Sequence, residues 1–212
     1  MPIHHSIKIN EHIQVIIWHI TESLEEMEAG IEWHPSDLNK YQSLKHPDKK
    51  REFLGIRYCL IHFLGHNPEV LYHPNGKPFL NQDLQVSFSH TQHYAAVSFS
   101  KSQAVGVDLE HEREAISRIA KKFTRPEERL AIEAHHEIDH LLFYWGMKEC
   151  IVKITGNKKL SFKEDIRIAP FSFVKNGCTT AILRKDDEYI QHTLYFKKLD
   201  NLFISFGWQQ SL

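Results

Sequence analysis

Two carboxylates stand two residues apart in Gly106-Val107-Asp108-Leu109-Glu110. On a strand, a side-chain period of two turns Asp108 and Glu110 to one face and Val107 and Leu109 to the other. Such a pair suits a hard cation, because Mg²⁺ takes a few carboxylates together with water and phosphate oxygens. Taken alone, the same pattern also describes a solvated edge strand. A second group lies on a helical segment, Trp145-Gly-Met-Lys148-Glu149-Cys-Ile-Val-Lys153. Positions 145, 148, 149 and 152 share a helix face and Lys153 lies beside Glu149, so an aromatic ring, a base and an acid come together. The plainer alternative is an amphipathic helix with an exposed Glu149 to Lys153 pair worth a few tenths of a kcal/mol.

Cationic and hydroxyl side chains form a third set: Arg51, Lys77 in Gly76-Lys77-Pro78, and Ser89-His90-Thr91. Arginine gives bidentate, charge-assisted contacts to phosphate, and hydroxyls with nearby N–H groups suit phosphate oxygens. A Gly-Lys turn, a solvated arginine and a helix N-cap at Ser89 or Thr91 are the alternatives.

The elements that must carry these groups can be read from patterning. Val15 to Ile20 is strand-like, Ser23-x-x-Glu26 is a capping box, and Ser36 is a candidate cap for a further short helix. Pro47 opens a helix whose apolar positions run through Phe53, Ile56, Leu60 and Leu64 to a stop at Gly65. Short strands are expected at 70–72, 84–88, 94–99 and 104–109, with Pro74-Asn75-Gly76 as a turn. Helices are expected at 116–123, 126–134 and 140–154, then strands at 166–168, 179–183, 193–196 and 202–206. Helices interrupting meander-like strands, in an order that runs twice, indicate an α+β fold with a boundary between halves near 105–109.

Composition narrows the function classes. Among 212 residues, 26 basic and 27 acidic side chains leave a formal charge of -1, so no global basic field favours nucleic acid. No apolar run approaches the roughly 18 residues of a spanning helix, and Met1 to Asn10 lacks a secretory pattern, so a cytoplasmic protein without membrane contact is expected. Cys59, Cys150 and Cys178 are odd in number and widely spaced, which disfavours disulfides and structural zinc; all three read as reduced and mostly buried.

Together the motifs resemble those of the 4′-phosphopantetheinyl transferases, in particular the longer, monomeric type that activates peptide and polyketide synthetases. The resemblance runs in order from Lys50-Arg51 through Gly76-Lys77-Pro78-Phe79-Leu80, Phe88-Ser89-His90-Thr91 and Gly106-Val107-Asp108-Leu109-Glu110 to Trp145-x-x-Lys148-Glu149-x-x-x-Lys153, and includes Phe123-x-x-Pro-Glu-Glu. It implies two similar α+β halves related by a pseudo-twofold, here 1–105 and 106–212, with the active site in the cleft between them. It implies transfer of the phosphopantetheine arm from coenzyme A to a serine of an apo acyl or peptidyl carrier protein, with Mg²⁺, or alternatively Mn²⁺, and release of adenosine 3′,5′-bisphosphate. Asp108, Glu110 and Glu149 match the family's metal ligands, and Glu149 is the candidate base. Lys148 and Lys153 match basic residues around the pyrophosphate. Ser89, His90 and Thr91 match a loop on the phosphates, and Lys77 and Arg51 match positions at the nucleotide end, with Arg51 on the 3′-phosphate. Gly146, Cys150 and Asn157-Lys158-Lys159 depart from the pattern.

Two other readings are open at this level. His136-Glu137-x-x-His140 is a His-Glu-x-x-His string of the zinc peptidase kind, although no later segment supplies a clear third ligand. A coenzyme A-binding relative without transferase activity would need no joint retention of Asp108, Glu110, Glu149 and Lys153, which is why catalysis is preferred. The sixteen histidines show no repeated ligand spacing.

Overall fold

The computed structural model describes residues 3–186 and 188–210. Two compact units divide the chain at Ser102/Gln103. In the first, β1 (Ile3–Lys8), β2 (Ile13–His19), β5 (Gln85–Thr91) and β6 (Tyr94–Ser100) form an antiparallel sheet of order β1-β2-β6-β5. Between them come α1 (Leu24–Ala29), α2 (Pro35–Ser43), α3 (Pro47–Leu64) and a small hairpin of β3 (Val70–Tyr72) and β4 (Pro78–Leu80).

Local chemistry accounts for the helix ends. Ser23 and Glu26 form the expected capping box on α1. His34 stands at the N-cap position of α2 without a side-chain capping bond and Pro35 is in the first turn, so Ser36 lies inside the helix and is not its cap. α3 starts at Pro47 and ends on Gly65, whose φ of 80° is left-handed. α3 buries Phe53, Leu54, Ile56, Tyr58, Cys59 and Leu60 against the sheet, and a buried ion pair between Arg57 and Asp37 fastens α2 to it.

The second unit opens with β7 (Val105–His111), followed by α4 (Ile116–Phe123), α5 (Pro126–Leu130), a 3₁₀ turn at Ala134–His136 and α6 (Glu137–Thr155). Four strands follow, β8 (Ile166–Ile168), β9 (Asn176–Lys185), β10 (Glu188–Leu199) and β11 (Leu202–Gln209). The antiparallel sheet has the order β7-β11-β10-β9-β8, so the first strand pairs with the last, and α6 packs on the sheet with α4 against α6. α6 supplies Leu141, Leu142, Phe143, Tyr144, Met147, Cys150 and Ile151 to a core shared with Leu183, Leu194, Phe196 and Phe203. Antiparallel sheets with helices segregated from them make the chain α+β.

The β9, β10 and β11 strands are longer than patterning suggests, because the antiparallel ladders continue through residues that show no apolar alternation. β10 and β11 join through Asp200-Asn201, with Asp200 at φ 52°, as tight hairpins favour. Cys59 and Cys150 are buried, whereas Cys178 is exposed on β9, which corrects the expectation of mostly buried thiols for that residue. No helix among the described residues is long and apolar enough to cross a membrane.

Candidate functional site

β7 and α6 lie close enough to bring three carboxylates into one electrostatic group. The approach needs glycine twice. A Cβ on Gly106 would sit 2.3 Å from the Cys150 carbonyl oxygen, and one on Gly146 would sit 2.7 Å from Ser205 Oγ and 3.4 Å from Asp108 Oδ2. Gly146, a departure from the family pattern in sequence, is therefore the residue that lets α6 settle over Asp108 and Ser205, which are register partners on β7 and β11.

Asp108 is only 7% exposed, so this stretch is not a solvated edge. Lys153 Nζ donates to Asp108 Oδ1 at 2.8 Å and to the Val107 carbonyl at 2.8 Å. The plainer alternative of an exposed Glu149–Lys153 pair gives way to this link from helix to strand. Burial pulls the Lys153 ammonium down, but the Asp108 carboxylate outweighs it and leaves the lysine above its ordinary range.

Glu110 is pushed up to about 7, first by burial and then by the charge of Asp108, with a smaller contribution from Glu149; Arg113 and a hydrogen bond from Trp145 oppose the rise. Glu149 is raised as well, by burial and then by Asp108, against Lys153. Half-buried carboxylates beside another carboxylate call for positive charge, and oxygen donors suit a hard cation. In their present side-chain positions they do not converge on a point, since among the described residues no group of three His, Cys, Asp or Glu side chains is placed to hold a metal ion. The donor chemistry fits such an ion: Asp108, Glu110 and Glu149 all offer carboxylate oxygens, and Glu110 and Glu149 are half-buried.

Lys148 is the main correction. Its ammonium is fully buried and donates to Glu128 Oε2 at 2.7 Å and to the carbonyls of Phe123, Phe162 and Ile166 at 2.8, 2.9 and 3.2 Å. Those acceptors are more than an ammonium's three protons can serve, so it has no capacity left for a pyrophosphate. Burial lowers it to about 8, with Glu128 resisting the fall. Glu128 in turn accepts from the backbone N–H groups of Arg125 and Ile168, so the pair ties α4, α5, α6 and β8 together. Sequence reasoning noted the Pro-Glu-Glu stretch without seeing that Glu128 is the partner, because the two residues are twenty apart.

In the first unit, Arg51 stands in the second turn of α3 and donates to Asp48 Oδ1 at 3.1 Å. The next residue, Glu52, meets His90 Nδ1 at 3.1 Å and Lys49 Nζ at 2.7 Å, so α3 and β5 share a charged junction. Ser89, His90 and Thr91 lie within β5, not in a loop or at a helix cap as their types allowed, because they continue the antiparallel ladder with Tyr94, Ala95 and Ala96. Lys77 follows Gly76 (φ 86°) in the β3–β4 turn and is lowered by burial.

The His-Glu-x-x-His string breaks across two elements. His136 ends the 3₁₀ turn and stacks on Phe173, while His140 is buried inside α6 against Phe171. This arrangement does not present two histidines and a glutamate to one metal.

Residues 104–204 match the family model of the 4′-phosphopantetheinyl transferase superfamily, and the segment contains all three carboxylates, Lys148 and Lys153. The chain is 28% identical over 156 residues to the 4′-phosphopantetheinyl transferase gsp of Aneurinibacillus migulanus, an alignment covering 69% of this chain and 62% of that protein. It is 30% identical over 140 residues to the 4′-phosphopantetheinyl transferase HetI of Nostoc sp., covering 58% of this chain and 59% of that one. A 4′-phosphopantetheinyl transferase of Bacillus subtilis is 30% identical over 95 residues, 42% of each chain. On these matches the chain is similar to the 4′-phosphopantetheinyl transferase superfamily, the likeness being carried by its second unit. It spans about three-fifths of the length of the first two relatives.

Proposed function

We propose that this chain transfers the 4′-phosphopantetheine arm of coenzyme A to a serine hydroxyl of an apo acyl or peptidyl carrier protein, acting as a monomer. The observation that carries the reading is the grouping of Asp108, Glu110 and Glu149 on β7 and α6, within the segment that matches the family, where burial and then the charge of Asp108 raise Glu110 and Glu149. These three would hold Mg²⁺, or Mn²⁺ in its place, which when bound supplies positive charge to the pyrophosphate oxygens.

The serine oxygen forms a bond to the phosphorus that carries the pantetheine arm, and the bond from that phosphorus to the bridging oxygen breaks. Adenosine 3′,5′-bisphosphate leaves with the bridging oxygen. Glu149 takes the serine proton, a role suited to a carboxylate raised toward the working pH. Lys153, fixed by Asp108 and Val107, adds a positive charge beside the transferring group. Arg51 holds the 3′-phosphate, and Lys77, Ser89, His90 and Thr91 contact the phosphates and the nucleotide end. The test is chromatography of the nucleotide product. Bisphosphate should form from coenzyme A only when an apo carrier protein is present, and its absence with every class of carrier would refute transfer.

Two further expectations follow from charge. Arg51→Ala should weaken coenzyme A by roughly tenfold and dephospho-coenzyme A little, because only the former has the 3′-phosphate for a bidentate contact. Calorimetry on both ligands decides this, and equal losses would remove Arg51 from that position.

The second concerns pH. With Glu110 raised to about 7, the folded state binds its proton more tightly than the unfolded state does. In the metal-free protein its contribution to stability is present below the unfolded value near 4.5 and is lost as pH rises through 7. A cation reverses the sign by favouring the ionised form. The rise in melting temperature on adding Mg²⁺ should therefore be larger at pH 8 than at pH 6, and a rise independent of pH would count against Glu110 as a ligand.

A further inference from the structure

Two carboxylates of the group already have a resident cation, and the two cations are held differently. Lys153 is partly buried, fixed at 2.8 Å to both Asp108 and the Val107 carbonyl, and it comes from the last turn of α6. Arg113 comes from the segment between β7 and α4. Its Nη2 meets Glu110 Oε1 at 3.2 Å, with the arginine side chain 44% exposed and the Glu110 side chain 17% exposed. Its guanidinium carbon lies 5.9 Å from the Trp145 ring centroid, at the outer limit of a cation–π contact. Trp145, near the guanidinium, also favours the ionised form of Glu110.

An arginine with one hydrogen bond to a carboxylate and a long, exposed side chain is cheaply displaced. Lys153, with two short bonds, is not. A divalent cation at Glu110 and an arginine at the same carboxylate cannot both lie close without repulsion.

We infer that Arg113 is a positioning residue that acts as an internal counter-ion, occupying Glu110 when no divalent cation is bound and setting the affinity of the site by competing for that carboxylate. The inference rests on the reading of Asp108, Glu110 and Glu149 as cation ligands and adds a residue that lowers the affinity. Arg113 holds Glu110 Oε1 when the site is empty of metal, and its side chain moves to solvent when a cation binds. It takes no part in bond making.

Paramagnetic resonance of Mn²⁺ alone, with the whole protein and no coenzyme A, tests this at about pH 8, where carboxylates ionise. Arg113→Gln should bind Mn²⁺ roughly three- to tenfold more tightly than the unaltered protein, the scale of one charge acting on a divalent ion through a solvated site. Arg113→Lys keeps the charge and should stay within about twofold. The gap should narrow in about 0.5 M KCl, which screens exposed charges. Far-ultraviolet circular dichroism confirms that the variants are folded. Saturable Mn²⁺ binding that is lost in Glu149→Gln but unchanged or weaker in Arg113→Gln would overturn the counter-ion role and leave the cation site standing. No saturable Mn²⁺ binding by any variant would overturn both.

Discussion

Glu149→Gln is expected to lower phosphopantetheine transfer by at least about 10²-fold while the protein stays folded, because a proton acceptor and a metal-ligand charge are lost together. The volume hardly changes, and the site loses a charge that burial and Asp108 already disfavour at Glu149. The melting temperature without metal should thus be equal to that of the unaltered protein or slightly higher. The Mg²⁺-dependent rise should shrink. Activity and thermal melts on one preparation separate this from general damage. Near-normal turnover would remove Glu149 from the reacting centre.

Lys148→Ala is expected to fail in a different way. Removing the ammonium leaves Glu128 charged in the interior at 0% exposure and strips hydrogen bonds from the Phe123, Phe162 and Ile166 carbonyls. Breaking a buried pair by deleting one partner costs about 3–5 kcal/mol. In urea that corresponds to a midpoint lower by roughly 2 M for an m-value near 2 kcal/mol/M. Replacing both residues with apolar ones, as in Lys148→Met with Glu128→Leu, should recover part of the loss, since it removes the uncompensated charge. If Lys148→Ala were as stable as the unaltered protein and specifically weak for coenzyme A, the lysine would belong with the phosphate contacts.

That contrast shows what the sequence could and could not convey. Spacing placed Asp108 and Glu110 on one face of a strand and Glu149 on a helix, and β7 and α6 carry them so. Helix starts and stops at Ser23, Pro47 and Gly65 were legible because each depends on a few neighbouring residues. Lys148 and Lys153, five residues apart on one helix, look alike in sequence but meet opposite surroundings: an interior carboxylate 20 residues away for one, a strand 45 residues away for the other. Long-range partners of this kind follow from packing, which periodicity does not encode. Arg113 was passed over for the same reason, since its link to Trp145 depends on α6 folding back onto β7. β1, at the sheet edge, shows no continuous apolar run in His-His-Ser-Ile-Lys, and its pairing with β2 is a backbone matter.

The most direct test of phosphopantetheine transfer is intact-mass spectrometry of an apo acyl carrier protein and an apo peptidyl carrier domain, each incubated with this protein, coenzyme A and Mg²⁺, and again with EDTA. The account predicts that at least one carrier gains the mass of a phosphopantetheine arm and that EDTA abolishes the gain. Both carriers remaining at their apo mass while coenzyme A binds, or a full gain in EDTA, would contradict it.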